Sequence, residues 1–211
     1  MAAFPFFINL KGKKCIVVGG GKVASRKIDI LSKFNGDIVV ISPEISHKIK
    51  TLKDLGRLAH IGRCYESSDI YGAFMIIAAT SDTLVNENIY NDAVNLGIFV
   101  NVADAPEKCT FFFPSIVKRS DLVIGISTSG NYPALSKQIR KKIDLIINYS
   151  INEDIISKLK EFREKVINEI EDDQVKAEIL DKVLEEAVFT DCQIDPENFT
   201  AVVDSIFKKY K

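Results

Sequence analysis

A compact apolar run, Cys15-Ile16-Val17-Val18, passes without a spacer into Gly19-Gly20-Gly21. Beyond it Val23, Ala24, Ile28, Ile30 and Leu31 recur at mostly helical spacing. A buried strand that turns into a helix within three glycines is a narrow constraint on fold. Gly19, Gly21 and Ala24 form a G-x-G-x-x-A fingerprint with a strand before it and a helix after it. Gly19 permits the tight turn, Gly21 lets a diphosphate approach the backbone, and Ala24 keeps the helix close to the sheet. Backbone N–H groups at that helix start, with the positive end of the dipole, suit a dinucleotide. The competing reading is a glycine turn needed only for packing.

Further apolar runs at 38–41, 75–79 and 98–102 alternate with expected helices at about 44–55 and 83–96. Continuous apolar strands separated by helices predict an α/β fold, a parallel sheet covered on both faces. A shorter strand at 58–61 is interrupted by His60. Asn35-Gly36 and Gly97 end helices, and Pro43 is placed at the start of the second. Residues 111–113 and 122–127 read as strands, and 133–147 as a helix. From about Ser150 the chain is charged and helical. Ile155, Leu159, Phe162, Val166 and Ile170 form one amphipathic stripe, and Ile179, Val183 and Ala187 belong to a second. Asp195-Pro196 suits the cap and first turn of a last helix. The expected division is 1–113, 114–149 and 150–211.

Charge and cysteine usage exclude several classes. Lysine and arginine number 28 against 29 acids, a net charge of −1, which excludes a nucleic-acid binder driven by bulk charge. Cys15, Cys64, Cys109 and Cys192 contain no CxxC pair, and there are only two histidines, so no metal set is read from spacing. Scattered thiols suit a reducing compartment. The apolar run 1–10 is too short for a bilayer, is interrupted by Pro5, and precedes its lysines rather than following them. A cytoplasmic protein with no membrane partner is expected.

Polar residues just beyond the carboxyl ends of parallel strands line the ligand crevice. The second strand ends Ile41-Ser42-Pro43-Glu44, so an acid for the ribose hydroxyls arrives late, and Asp37 lies at the wrong end. No arginine follows closely, which favours NAD over NADP, although Lys48 is near. Ala79 and Thr80 close the fourth strand and leave room for a cofactor ring. Asp104, closing the fifth, would stand beside the nicotinamide and accept or relay a proton, or would simply form a turn. Ser127, Thr128, Ser129 and Gly130 precede a helix beginning at Pro133, with Lys137, Arg140, Lys141 and Lys142 behind. They suggest a second anion site for carboxylates, with a solvated basic face as the alternative.

Phe4-Pro5-Phe6-Phe7, the run from Val17 through Gly19-Gly20-Gly21-Lys22-Val23-Ala24 to Ser25-Arg26-Lys27, and Ala78-Ala79-Thr80 belong to a more specific pattern. It continues with Asn86, Asn101-Val102-Ala103-Asp104-Ala105-Pro106, Phe113-Pro114-Ser115-Ile116-Val117, and the 127–133 loop with Arg140. In these motifs the chain resembles the precorrin-2 dehydrogenase family, the dehydrogenase/chelatase module of siroheme synthases. The resemblance implies a Rossmann-type domain, a small α+β dimerisation region at 114–149 and a helical C-terminal domain. It implies oxidation of precorrin-2 to sirohydrochlorin with NAD⁺, by a homodimer. Asp104 falls on the family's catalytic aspartate, and Lys22, Val23, Pro43 and Glu44 on its NAD contacts. Thr80 joins them as an expected cofactor residue, and Ser127, Thr128, Gly130 and Arg140 are expected to meet substrate. Ser129 departs from the family, which has glycine there. The sequence ends at Lys211, so the methyltransferase half of fused synthases is expected to be absent. Two other readings stand beside this one: iron insertion by the same module, and an NAD-binding regulatory or chelatase-only protein without dehydrogenase turnover.

Overall fold

The computed structural model describes residues 3–150, 153–188 and 196–210. Two compact units divide at Phe113/Pro114. The first contains β1 (Lys14–Val18), α1 (Lys22–Ser32), β2 (Asp37–Ile41), α2 (His47–Asp54), β3 (Ala59–Ile61), β4 (Met75–Ala78), α3 (Thr83–Asn95) and β5 (Phe99–Val102). Its five strands are parallel in the order β3-β2-β1-β4-β5. This is a Rossmann-type sheet, and strand order reverses between β1 and β4, where the crevice for a ligand opens.

The alternation of side chains accounts for the unbroken apolar runs. Cys15, Val17, Ile38, Val40, Met75 and Ile77 face one side and pack with Ala24 and Ile28 of α1 and Ile49 of α2. Ile16, Val18, Ile41, Ile76, Ala78, Val100 and Val102 face the other, against Ile70 and against Ile89 and Ala93 of α3. Both registers are buried in β1, β2 and β4, so their central positions are apolar on either face.

Two expectations are corrected here. Residues 111–113 are not a strand. Phe111 and Phe113 lay their rings on the α1 side of the sheet, in a chain from Phe74 through Phe99 with centroids 5.3 to 6.4 Å apart. The strand follows Pro114, as β6 (Ser115–Arg119), and pairs antiparallel with β7 (Leu122–Ile126). The second helix begins at His47 rather than near residue 44. Ser42 Oγ donates to the Glu44 carbonyl at 2.7 Å and the Ser46 N–H to the Gly20 carbonyl at 2.9 Å. These bonds hold Pro43 and Glu44 in a loop, and Ser46 precedes the helix.

In the second unit the β6–β7 hairpin packs with α4 (Pro133–Ser150). Helices α5 (Glu153–Glu169), α6 (Asp173–Ala187) and α7 (Pro196–Lys208) bury Ile155, Phe162 and Val166 against Ile179, Val183, Phe199, Val203 and Ile206. The expected stripes therefore form one helical core. Pro196 opens α7, while Asp195 and Cys192 lie outside the described residues.

Candidate dinucleotide site and the Asp104 turn

Each glycine of the triplet has a different task. Gly19 has φ +118°, and its N–H donates to the Ile41 carbonyl at 2.9 Å. A Cβ there would lie 2.3 Å from the Ala79 carbonyl oxygen, so both backbone conformation and the approach of β4 require glycine. Gly20 was not singled out by the fingerprint, in which it is the variable position. Its Cβ would lie 1.8 Å from the Glu44 carbonyl oxygen, so it is the glycine that admits the β2–α2 loop. Gly21 precedes α1 with φ −84° and ψ −166°, and a Cβ there would meet nothing within 4 Å.

That open space fits the place the fingerprint reserves for a diphosphate. Lys22 and Val23 are exposed in the first turn, no side chain caps α1, and the turn carries no acid. The donors and positive dipole end are thus left for an external anion. Pro43 and Glu44 are exposed beside this cradle, while Ser42 is buried, with its carbonyl 2.9 Å from His60 Nε2. Lys48 is committed to α1 through an ion pair with Asp29.

Thr80 is held by a neighbour. Its N–H and Oγ1 donate to Asn86 Oδ1 at 3.3 and 2.8 Å, and Asn86 Nδ2 donates to its carbonyl at 3.1 Å. Asp82 caps α3, accepting from the N–H groups of Leu84 and Val85 at 2.9 and 3.2 Å.

Asp104 is exposed and has φ +62°. Aspartate is among the few residues that tolerate this conformation, so Asp104 does form a turn, and its exposed carboxylate has no hydrogen-bond or ion-pair partner among the described residues. The Ala103 N–H donates to the Ala78 carbonyl at 2.8 Å, fixing the turn to the end of β4. Cys109 Sγ completes it, accepting from the Val102 N–H at 3.3 Å and lying 3.4 Å from the Ala105 carbonyl. Buried Asn101 donates to the Phe111 carbonyl at 3.0 Å and contacts the same sulfur at 3.4 Å. Burial pushes the Cys109 thiol up, so it serves as a neutral packing group. Gly19, Gly21, Lys22, Val23, Pro43, Glu44, Thr80 and Asp104 all lie at the carboxyl edge of one sheet.

Ser127, Thr128, Gly130 and Arg140 belong to the second unit. Ser129 and Gly130 have φ +52° and +80°, and the Asn131 N–H donates to the Thr128 carbonyl at 3.0 Å, as in a type I′ turn. Ser127 Oγ accepts from the Ser129 N–H at 3.0 Å. Thr128 Oγ1 accepts from the Tyr132 N–H at 3.2 Å and lies 3.2 Å from buried Ser136 Oγ. Arg140 is 3.5 Å from Asp144, whose other oxygen takes Arg119 at 2.7 Å. Thr128 and Arg140 therefore each have a structural partner. Among the described residues, no group of three or more His, Cys, Asp or Glu is placed to hold a metal ion, and no helix is long and apolar enough to cross a membrane.

A family described as "Putative NAD(P)-binding" matches residues 6–115. A siroheme synthase of Methylobacillus flagellatus is 40% identical over 147 residues, 70% of this chain and 32% of that protein. One of Psychrobacter cryohalolentis is 42% identical over 147 residues, 70% of this chain and 28% of that protein. The chain thus spans about a third of the length of these curated relatives. Among solved structures, "SirC, precorrin-2 dehydrogenase" superposes with a TM-score of 0.74 at 26% identity, covering 96% of this chain and all of that one.

Proposed function

The chain belongs to this NAD(P)-binding family, and on that premise we propose that it oxidises precorrin-2 to sirohydrochlorin in siroheme synthesis. The observation that carries the reading is the open cradle at Gly21, on the same sheet edge as the uncommitted carboxylate of Asp104. The similarity to a precorrin-2 dehydrogenase along nearly the whole chain supports the choice of substrate.

The oxidation removes a hydride and a proton from the reduced macrocycle. Bound NAD⁺ supplies the hydride acceptor. Backbone donors at Lys22 and Val23 hold its diphosphate, with Gly19 and Gly21 giving the close approach, while Pro43 and Glu44 flank the ribose side. NAD rather than NADP suits the β2 end, because Lys48 is engaged by Asp29 and 41–48 contains no arginine. Thr80, clamped by Asn86, forms a fixed small-residue wall. Asp104 orients the substrate and accepts or relays its proton. Ser127 and Gly130, both exposed, with Thr128 and Arg140, are the further residues expected to meet substrate. That unit forms a homodimer through 114–149, in keeping with Leu145 and Ile146 of α4 at 62% and 66% exposure. The cytoplasm is the expected compartment.

Anaerobic incubation with precorrin-2 and NAD⁺ tests the reading, following NADH and the sirohydrochlorin spectrum. Stoichiometric appearance of both is expected, and NAD⁺ binding without turnover would leave a sensor instead. Adding Fe²⁺ or Co²⁺ to the product then tests chelation, for which Asp104 can receive pyrrole protons. Sedimentation of the pure protein tests the dimer.

A further inference from the structure

Lys27 lies one turn beyond Val23 on α1, and its ammonium sits 4.2 Å above the centre of the Phe113 ring. The Phe113 ring packs tilted against that of Phe111, whose carbonyl is tied to Asn101, and Asn101 and Cys109 hold the segment around the Asp104 turn. The Lys27 ammonium also lies within electrostatic reach of the Cys109 thiol. We infer that Lys27 is a substrate-binding residue that holds one carboxylate arm of the tetrapyrrole beside the Asp104 turn. The assignment rests on the dehydrogenase reading above.

An ammonium half removed from water costs stability unless an anion meets it. Among the described residues none of the ion pairs includes Lys27. Asp29, two residues along the helix, is taken by Lys48. The remaining neighbour, Cys109, has its thiol pushed up by burial and carries no charge near neutrality. Burial correspondingly pushes Lys27 below the ordinary lysine range, with Cys109 opposing. The Phe113 ring compensates part of the charge and fixes the position of the ammonium. What the cluster lacks is a carboxylate, and precorrin-2 carries acetate and propionate arms around its macrocycle. The Phe113 ring, the Lys27 ammonium above it and the turn bearing Asp104 are linked through Phe111, Asn101 and Cys109.

A cation kept only to clip α1 onto Phe113 makes the opposite stability prediction, so the two roles separate. Lys27→Met is expected to raise the precorrin-2 KM by about tenfold or more, the usual scale for losing a hydrogen bond to a charged group. Its NAD⁺ KM, kcat and NADH affinity should stay near wild type, with an equal or higher melting temperature, because the methionine needs no anion. Lys27→Arg should recover most of the lost KM. An unchanged precorrin-2 KM in Lys27→Met overturns the assignment alone. So does a lowered melting temperature with kcat and both KM values damaged together, which marks a structural clip. A wild-type protein that binds NADH but neither binds nor oxidises precorrin-2 overturns the dehydrogenase reading, and this assignment with it.

Discussion

Asn86 grips Thr80 through three hydrogen bonds, two accepted by its carboxamide oxygen and one donated by its nitrogen. Asn86 is buried in α3, whereas Thr80 sits at the end of β4 on the ligand edge. The amide therefore turns helix packing into a fixed position for Thr80, which the proposed function places beside the cofactor. Asn86→Ala strips all three bonds and should cost about 1–3 kcal/mol, the range for leaving buried polar groups unpaired. A lower midpoint in urea, together with a raised NAD⁺ KM, is the expected result. Loss of stability with an unchanged NAD⁺ KM would remove Thr80 from the site.

Gly20 and Gly21 are adjacent and should fail in different ways. A Cβ at Gly20 lies 1.8 Å from the Glu44 carbonyl, a backbone atom that can move only with the loop. Gly20→Ala should therefore destabilise the first unit, since overpacking of this kind typically costs about 1–3 kcal/mol. A Cβ at Gly21 meets nothing, and its φ of −84° suits alanine. Gly21→Ala should melt like wild type or slightly higher, yet bind NADH at least tenfold more weakly, judged by the loss of a charge-assisted hydrogen bond of about 1.5–3 kcal/mol. Titration of NADH fluorescence against thermal unfolding separates the two. Normal NADH binding by a well-folded Gly21→Ala would show that the open space is not the diphosphate site.

The sheet is legible in the sequence because β1, β2 and β4 are buried on both faces, so their apolar runs are continuous and bounded by turns, whereas the partly exposed β3 gives a weaker signal. The same signal misleads at 111–113. Three consecutive apolar residues look alike whether they pair in a strand or lie as a loop across a sheet, and here the rings find the face left beside α1. Pro43 is a reasonable helix-start signal, but the Ser42–Glu44 hydrogen bond competes with it and wins. Gly19 and Gly21 are visible because their tasks are local. Gly20 is not, since its constraint comes from a loop 24 residues later. Asn86 is visible as part of the family pattern, but its three hydrogen bonds to Thr80, six residues earlier, show only in the fold. At Asp104 the sequence poses turn former against base as alternatives; the positive φ shows the turn, and the exposed carboxylate is compatible with a base at the same position.

Ser129 occupies a turn position with φ +52°, where a side chain other than asparagine or aspartate is strained. Relief of that strain by Ser129→Gly, set against the greater chain entropy of glycine when unfolded, should leave a gain of up to about 1 kcal/mol. A melting temperature raised by a few degrees would agree, and a drop of similar size would mean that the serine side chain contributes more than its backbone costs.

Cys15 and Cys64 should differ sharply in reactivity. Cys15 is fully buried in β1, and burial, with Asp37 adding, pushes its thiol up to about 11. Cys64 is exposed. At pH 8 iodoacetamide should label Cys64 and spare Cys15 until the protein is unfolded, as peptide mapping would reveal. The sign of the linkage follows. An unfolded thiol ionises near about 8.5, while the native one stays protonated. Its contribution to stability is thus fully present below that pH and declines as pH rises towards 11. Cys15→Ala, though less stable at pH 8 through its cavity, should lose less stability than wild type between pH 8 and 10.5. An equal loss in both proteins would assign the alkaline limb to other groups.

Asp104 is best probed with asparagine. At φ +62° alanine would strain the turn, and a loss of activity would then confound backbone and charge. Asparagine tolerates the same conformation, keeps the side chain's size and removes only the carboxylate. Asp104→Asn should therefore melt within a degree or two of wild type and bind NADH normally. Its dehydrogenase kcat should fall by about 100-fold or more, the lower bound usual for a positioned general base. If the carboxylate also serves chelation, metal insertion into sirohydrochlorin should fall in parallel. A kcat near wild type would reduce Asp104 to its role in the turn. A selective rise in precorrin-2 KM with kcat intact would make it a group that binds substrate without handling its proton.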